Sequence, residues 1–172
     1  MNQVTPLADH LAPDTINQLE RAAAHRHDDG LALLRVKHNL AGVYLFGYSA
    51  EMCLAAAYFR AVGFAAKRVI ERDERLRHMA RAKNLKDADG KSLMSSDPHP
   101  LVGWARFLKW QRFASKISTV EMRRLNDAIG HAEMLYKHWR PELRYKLVEV
   151  TAPQLAEVSK ASTWFLEHRG RL

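Results

Sequence analysis

Cysteine is nearly absent from this chain, which holds one, Cys53, among its 172 residues. An intramolecular disulfide and a cysteine-based zinc cluster are therefore excluded. The opening residues, MNQVTPLADHLAPD, lack both a basic start and an apolar core, so we expect neither a signal peptide nor a transit peptide. Internal repeats and low-complexity tracts are also missing. These absences predict one domain spanning residues 1–172, located in the cytoplasm.

Acidic residues are in deficit, since 27 Lys and Arg stand against 19 Asp and Glu and give a net charge of +8. Such an excess attracts phosphates and speeds encounters with polyanions, which makes nucleic acid a natural class of partner. The alternative is that the charge serves solubility alone, because net charge constrains nonspecific binding rather than function. Composition leaves both interpretations open.

Residues 39–59, NLAGVYLFGYSAEMCLAAAYF, form a long apolar stretch. Ala and Leu are frequent and β-branched residues are few, so the stretch predicts a helix with Asn39 as its cap. Apolar side chains lie on nearly every side of that helix, which therefore belongs at the centre of a bundle. Its length would also cross a bilayer. However, Glu51 near the middle, two glycines and the charged segment that follows favour a core helix over a membrane span.

The remaining pattern predicts an all-α fold. Apolar spacing and capping signals indicate further helices over about 15–34, 101–114, 118–138 and 151–168. Residues 1–13 are expected to form a flexible arm. Residues 62–98 form a charged insert in which opposite signs are interleaved, and we expect one short helix there. The expected architecture is an up-and-down bundle of four main helices plus that short extra helix.

Three separated segments resemble one known family. They are residues 44–54 (YLFGYSAEMCL), 99–101 (HPL) and 139–145 (WRPELRY), whose order and spacing are similar to those of the higher eukaryotes and prokaryotes nucleotide-binding (HEPN) family. The residues that carry the resemblance are Tyr44, Gly47, Tyr48, Glu51, His99, Trp139, Arg144 and Tyr145. Two positions depart from the family pattern, since Ala56 stands where a lysine is usual and Pro100 stands where an acidic residue follows the histidine.

The resemblance implies a HEPN-like bundle that forms a homodimer and needs no cofactor. It implies binding of RNA or of a nucleotide-bearing partner in a stress, defence or toxin–antitoxin setting, and we expect the chain to be non-catalytic. A different class of function stays open, namely a protein-interaction partner of a small nucleotidyltransferase. Within the bundle we expect Arg144 to reach Glu51, because a buried carboxylate on the central helix needs a partner.

A second alternative is catalysis by Arg124 and His131. Catalytic members of the family are metal-independent ribonucleases that carry an arginine and a histidine with four to six residues between them, at a dimer cleft. Here six residues separate the two, so both share one face of a helix. The histidine would move a proton, and the arginine would stabilise the negative charge of the phosphorane. The pair lies outside the last helix, where active members usually carry it, and we favour an ordinary helix face.

Residues 101–114, LVGWARFLKWQRFA, interleave aromatic and cationic side chains. Such a surface can stack bases and hold phosphates. Four of its apolar residues keep the helical spacing of a core face, namely Leu101, Trp104, Phe107 and Leu108. Arg106 and Trp110 are left as the candidate ligand-binding residues.

No metal site is expected from the sequence. His25 and His27 lie two residues apart on a predicted helix and so point to different faces. The turn at Asp87 and Asp89 starts like a calcium loop, but Lys91 occupies the next ligand position and no glutamate closes the loop.

Overall fold

Six α-helices make up most of the chain in the computed structural model, which describes residues 14–87, 90–97, 99–115 and 117–172. They are α1 (Ile16–Arg35), α2 (Asn39–Ala61), α3 (Arg72–Asn84), α4 (Leu101–Phe113), α5 (Thr119–His138) and α6 (Ala152–His168), with a 3₁₀ helix at Pro141–Tyr145. Among the described residues there are two isolated β-bridges and no strand. The predicted all-α bundle is confirmed, and the described residues hold five helices beside α3 rather than the four main helices expected. The predicted arm at residues 1–13 lies outside the described residues.

Polar caps explain where three of the helices begin. The Thr15 hydroxyl accepts a hydrogen bond from the Gln18 amide at the start of α1. Ser118 and Thr151 each form a capping box with the residue three positions on, which satisfies amides that have no partner within the helix. The predicted cap at Asn39 is wrong by one position, because α2 begins at Asn39 and His38 occupies the capping position.

Helix α2 is the centre of the fold and packs against α1, α4, α5 and α6. The Ser49 hydroxyl donates to the carbonyl of Ala23 in α1 at 2.8 Å, and the Ser162 hydroxyl of α6 donates to the carbonyl of Phe46 at 3.2 Å. Helix α2 is long and apolar enough to cross a membrane, yet 67% of its most apolar window is buried within the bundle. That environment is the one expected of a core helix.

The charged insert folds back onto the bundle. Its first half is tied to the start of α1, where the Ile70 amide donates to the Asp14 carbonyl at 2.7 Å. Its second half buries Leu93 and Met94 in the core. Helix α3 lies between these anchors, and Ala82 is its one buried residue. The insert therefore presents most of α3 to solvent while both of its ends are held in place.

Candidate functional site

A buried carboxylate marks the first polar site of the bundle. Glu51 projects from α2, and only 4% of it is exposed. His99 donates from Nδ1–H to the Glu51 carboxylate at 2.8 Å, and the Arg75 guanidinium lies 3.5 Å from its other oxygen. The hydrogen bond to Glu51 raises the pKa of His99 above its usual value. Arg75 lies in the insert and His99 directly follows it. Together they neutralise Glu51, the buried charged residue of α2.

Aromatic rings close the side of this carboxylate site that faces α5. The Tyr48 ring meets the rings of His99 and Trp139 edge to face, with centroids 5.2 and 5.3 Å away. The Trp139 indole N–H donates to the carbonyl of Tyr44 at 2.9 Å. A Cβ on Gly47 would lie 2.2 Å from the Trp139 ring, so only glycine fits beneath it. We call Tyr44, Gly47, Tyr48, Glu51, Arg75, His99 and Trp139 the polar centre.

The polar centre brings together the three segments that carry the family resemblance. Arg144 and Tyr145 are the two resemblance residues that lie outside it, on the exposed 3₁₀ helix. There the Arg144 guanidinium sits 4.6 Å from the Tyr145 ring centroid, and the neighbouring Tyr44 side chain raises the pKa of Arg144. The expected Glu51–Arg144 pair is therefore wrong, because His99 and Arg75 are the residues that pair with the Glu51 carboxylate.

The predicted catalytic pair lies elsewhere, on the side of α5 that faces α6. Arg124 donates to the backbone carbonyl of Arg171 at 2.9 Å. The His131 ring stacks on Trp164 with centroids 4.6 Å apart, and burial lowers the pKa of His131. The two residues share a helix face as the spacing predicts, but each is engaged in a contact with the end of the chain. Catalysis by this pair stays a prediction.

Arg106 and Trp110, the predicted ligand-binding residues, line a common groove of about 500 Å³ between α4, α5 and the insert. A second groove of about 500 Å³ continues from it along α4 and α5. Leu93 and Arg106 border both grooves. We call the two grooves together the trough.

The trough carries more positive than negative side chains. Among the described residues, its five cations are Lys91, Arg106, Lys109, Lys137 and Arg140, and its three carboxylates are Asp87, Asp97 and Glu133. All three carboxylates are already engaged, since Asp87 accepts a hydrogen bond from the Lys91 amide at 2.8 Å. Glu133 lies 3.0 Å from Arg106, and Asp97 accepts hydrogen bonds from Tyr136 and Ser95. The trough therefore offers a net positive, partly apolar surface to a ligand.

Sequence reasoning missed the most exposed aromatic residue of the trough. Phe113 is 69% exposed, and no other ring of the described residues packs against it. Trp110 is less available, since Phe107 stacks on it at 6.0 Å and the Arg81 guanidinium lies 5.3 Å from its ring centroid. The interleaved pattern of residues 101–114 was the available signal for Phe113. The cations from α5 had no such signal, because a single sequence does not show which helix faces α4.

Comparison with known proteins adds no relative, since no family, curated protein or solved structure matches the chain. In the described part of the chain, no group of three His, Cys, Asp or Glu side chains is placed to hold a metal ion. A function for this chain therefore has to be inferred from the geometry of the polar centre and of the trough.

Proposed function

We propose that this chain is a HEPN-like helical module that binds single-stranded RNA along the trough and does not cleave it. The observation that carries the proposal is the meeting of two grooves at Arg106, with cations in excess and Phe113 exposed at one end. Cationic grooves that track a backbone, combined with aromatic rings on which bases stack, are the features of proteins that bind single strands without sequence preference.

Single-stranded RNA fits this surface better than a duplex. An exposed ring such as Phe113 stacks only on bases whose faces are free, and a duplex hides those faces. The cations of the trough lie along its length rather than at one point, as a chain of phosphates requires. The homodimer and the stress, defence or toxin–antitoxin setting follow from the family resemblance. The cytoplasmic location follows from the cysteine content and from the opening residues, and it belongs to the same proposal.

Binding of a labelled 12-nucleotide RNA, followed by fluorescence anisotropy between 50 and 200 mM salt, tests the proposal. We expect affinity to fall steeply with salt, because each phosphate contact releases counterions. Phe113→Ala should weaken binding about 10-fold, in line with ~1–3 kcal/mol for a stacked base. Tyr145→Ala is the matched control, because Tyr145 is 73% exposed but lies outside the trough. Equal affinity of the two variants, or no RNA binding, would reject the proposal.

A second candidate function is protein interaction, in which the chain partners a small nucleotidyltransferase. An exposed apolar strip favours it, since Tyr145, Leu147 and Val148 are 73%, 105% and 54% exposed and follow one another along the chain. Co-expression with a nucleotidyltransferase encoded beside this chain tests it. Stable co-purification with the wild type that is lost in Leu147→Asp would support the interaction. Separate elution of the two proteins would reject it.

A further inference from the structure

Helix α3 carries a small cationic groove that the proposed RNA site has not used. Glu74, Arg77, His78 and Arg81 line this groove, whose volume is about 240 Å³. Arg77 and Arg81 are one helical turn apart and therefore share a face. Within the described residues neither forms an ion pair, whereas Glu74 is already held by Arg68 at 2.7 Å. The groove therefore has two available guanidinium groups and an engaged carboxylate.

His78 is held in place in the same groove. Its Nδ1 lies 2.7 Å from the buried Tyr58 hydroxyl. Burial raises the pKa of Tyr58 and lowers that of His78, which favours the neutral form of both groups. In the tautomer whose Nδ1 accepts the Tyr58 proton, the ring carries an Nε2–H donor on the side opposite to Tyr58. Such a donor beside two arginines suits an anionic oxygen.

The groove on α3 adjoins the trough through one contact. The Arg81 guanidinium lies 5.3 Å from the ring centroid of Trp110, which lines the trough. Arg81 therefore borders both surfaces. A strand of RNA that lies in the trough at Trp110 would bring its backbone next to Arg81 and Arg77.

We propose that the α3 groove binds a backbone phosphate of the RNA strand whose bases occupy the trough. The charged insert of residues 62–98 then supplies a phosphate-binding half of the site, and α4 and α5 supply the half that stacks bases. This inference rests on the proposed function. The ligand group is a phosphodiester, whose oxygens accept hydrogen bonds from Arg77, Arg81 and His78.

The salt dependence of RNA affinity separates this inference from a general effect of charge. In Arg77→Gln/Arg81→Gln we expect the slope of log affinity against log salt to fall by about 0.7, which is the contribution of one phosphate contact on a single strand. Arg77→Lys/Arg81→Lys keeps the charge and should retain most of the slope. The matched control is Arg21→Gln/Arg35→Gln, because both of these arginines are exposed on α1.

The outcomes distinguish a failure of the α3 inference from a failure of the proposed RNA binding in the trough. If wild type binds RNA, Phe113→Ala weakens binding, and the α3 double variant keeps the slope of the α1 control, the inference about α3 is overturned while the proposed function stands. If wild type binds no RNA, both are overturned. Thermal unfolding by circular dichroism checks that every variant is folded. A selective loss of slope in the α3 variant supports the inference.

Discussion

The polar centre and the trough contain the same kinds of residue, yet they differ in how completely those residues are satisfied. In the polar centre Glu51 has two partners, Trp139 donates its N–H to a carbonyl, and the residues interlock around Gly47. In the trough Phe113 and Lys109 face solvent or an open groove. A set of satisfied groups stabilises a fold, whereas exposed rings and cations can change partners when a ligand arrives.

The largest expected effect is the difference in stability between alanine substitutions at two glycines, Gly47 and Gly130. Gly47→Ala would drive a methyl group into the buried Trp139 ring, and we expect a loss of about 3 kcal/mol in the free energy of unfolding, at the upper end for overpacking. Gly130→Ala meets no atom within 4 Å on an exposed helical position and should stabilise by ~0.5–1 kcal/mol. Urea unfolding measures both. A similar change in the two variants would contradict the tight packing of Gly47 against Trp139.

Glu51→Ala should have the next largest effect. It leaves His99 and Arg75 without their shared partner, and we expect a loss of about 2 kcal/mol in the free energy of unfolding. Arg144→Ala should cost less than Glu51→Ala, because Arg144 is exposed and its hydrogen bond is to Tyr44 rather than to Glu51. A double-mutant cycle on Glu51 and His99 should reveal coupling, whereas one on Glu51 and Arg144 should be additive. If only the cycle on Glu51 and Arg144 showed coupling, the result would support the Glu51–Arg144 pair that the sequence predicts.

The pH dependence of stability also tests the pairing of Glu51 with His99. The hydrogen bond to Glu51 raises the pKa of His99 in the folded state above 6.5. The resulting stabilisation is fully present below pH 6.5 and is lost as the pH rises through the folded-state pKa. Partial or full burial lowers the pKa values of His27, His78 and His131, which therefore act in the opposite sense.

Comparison of the wild type with His99→Gln isolates the His99 contribution from those of the buried histidines. The difference in melting temperature between the two proteins should shrink on going from pH 6 to pH 9. An NMR titration should place the midpoint of His99 above 6.5 in the wild type and lower in Glu51→Gln. A midpoint unaffected by Glu51→Gln would contradict the geometry of the pair.

The smallest expected effect concerns RNA cleavage. We expect no cleavage of single-stranded RNA by the purified protein with EDTA present, because Arg124 holds the Arg171 carbonyl and His131 is stacked on Trp164. His131→Ala is the control. Cleavage by the wild type that disappears in this variant would instead make the chain a metal-independent ribonuclease and move the functional site to the α5–α6 face.

Local signals predicted most of the fold. The long run of apolar residues at 39–59, rich in Ala and Leu, located the central helix, and the pairs Ser118–Glu121 and Thr151–Gln154 located the starts of α5 and α6. Such signals need only a few consecutive residues, because capping and amphipathicity are properties of one turn or one helix face.

Contacts between distant segments were predicted less well. The sequence indicated that Glu51 needs a partner, but it did not show that Arg75 of the insert and His99, which follows the insert, pair with it. It likewise indicated Arg106 and Trp110 on α4, but gave no reason to choose Lys137 of α5 or Arg140, which follows that helix. A single sequence does not show which helix faces pack together. The residues that a second segment contributes to the polar centre and to the trough therefore could not be predicted.

The position of bound RNA is the most direct test of this account. The measurement is ultraviolet cross-linking of the protein to a 12-nucleotide RNA that contains 4-thiouridine, followed by identification of the modified peptides by mass spectrometry. We expect cross-links in residues 101–115 and 129–140, with Phe113 among the modified positions, and we expect them to vanish at high salt. Cross-links confined to the α5–α6 face around His131 and Trp164, or no cross-links, would contradict the assignment of the trough as the RNA-binding site.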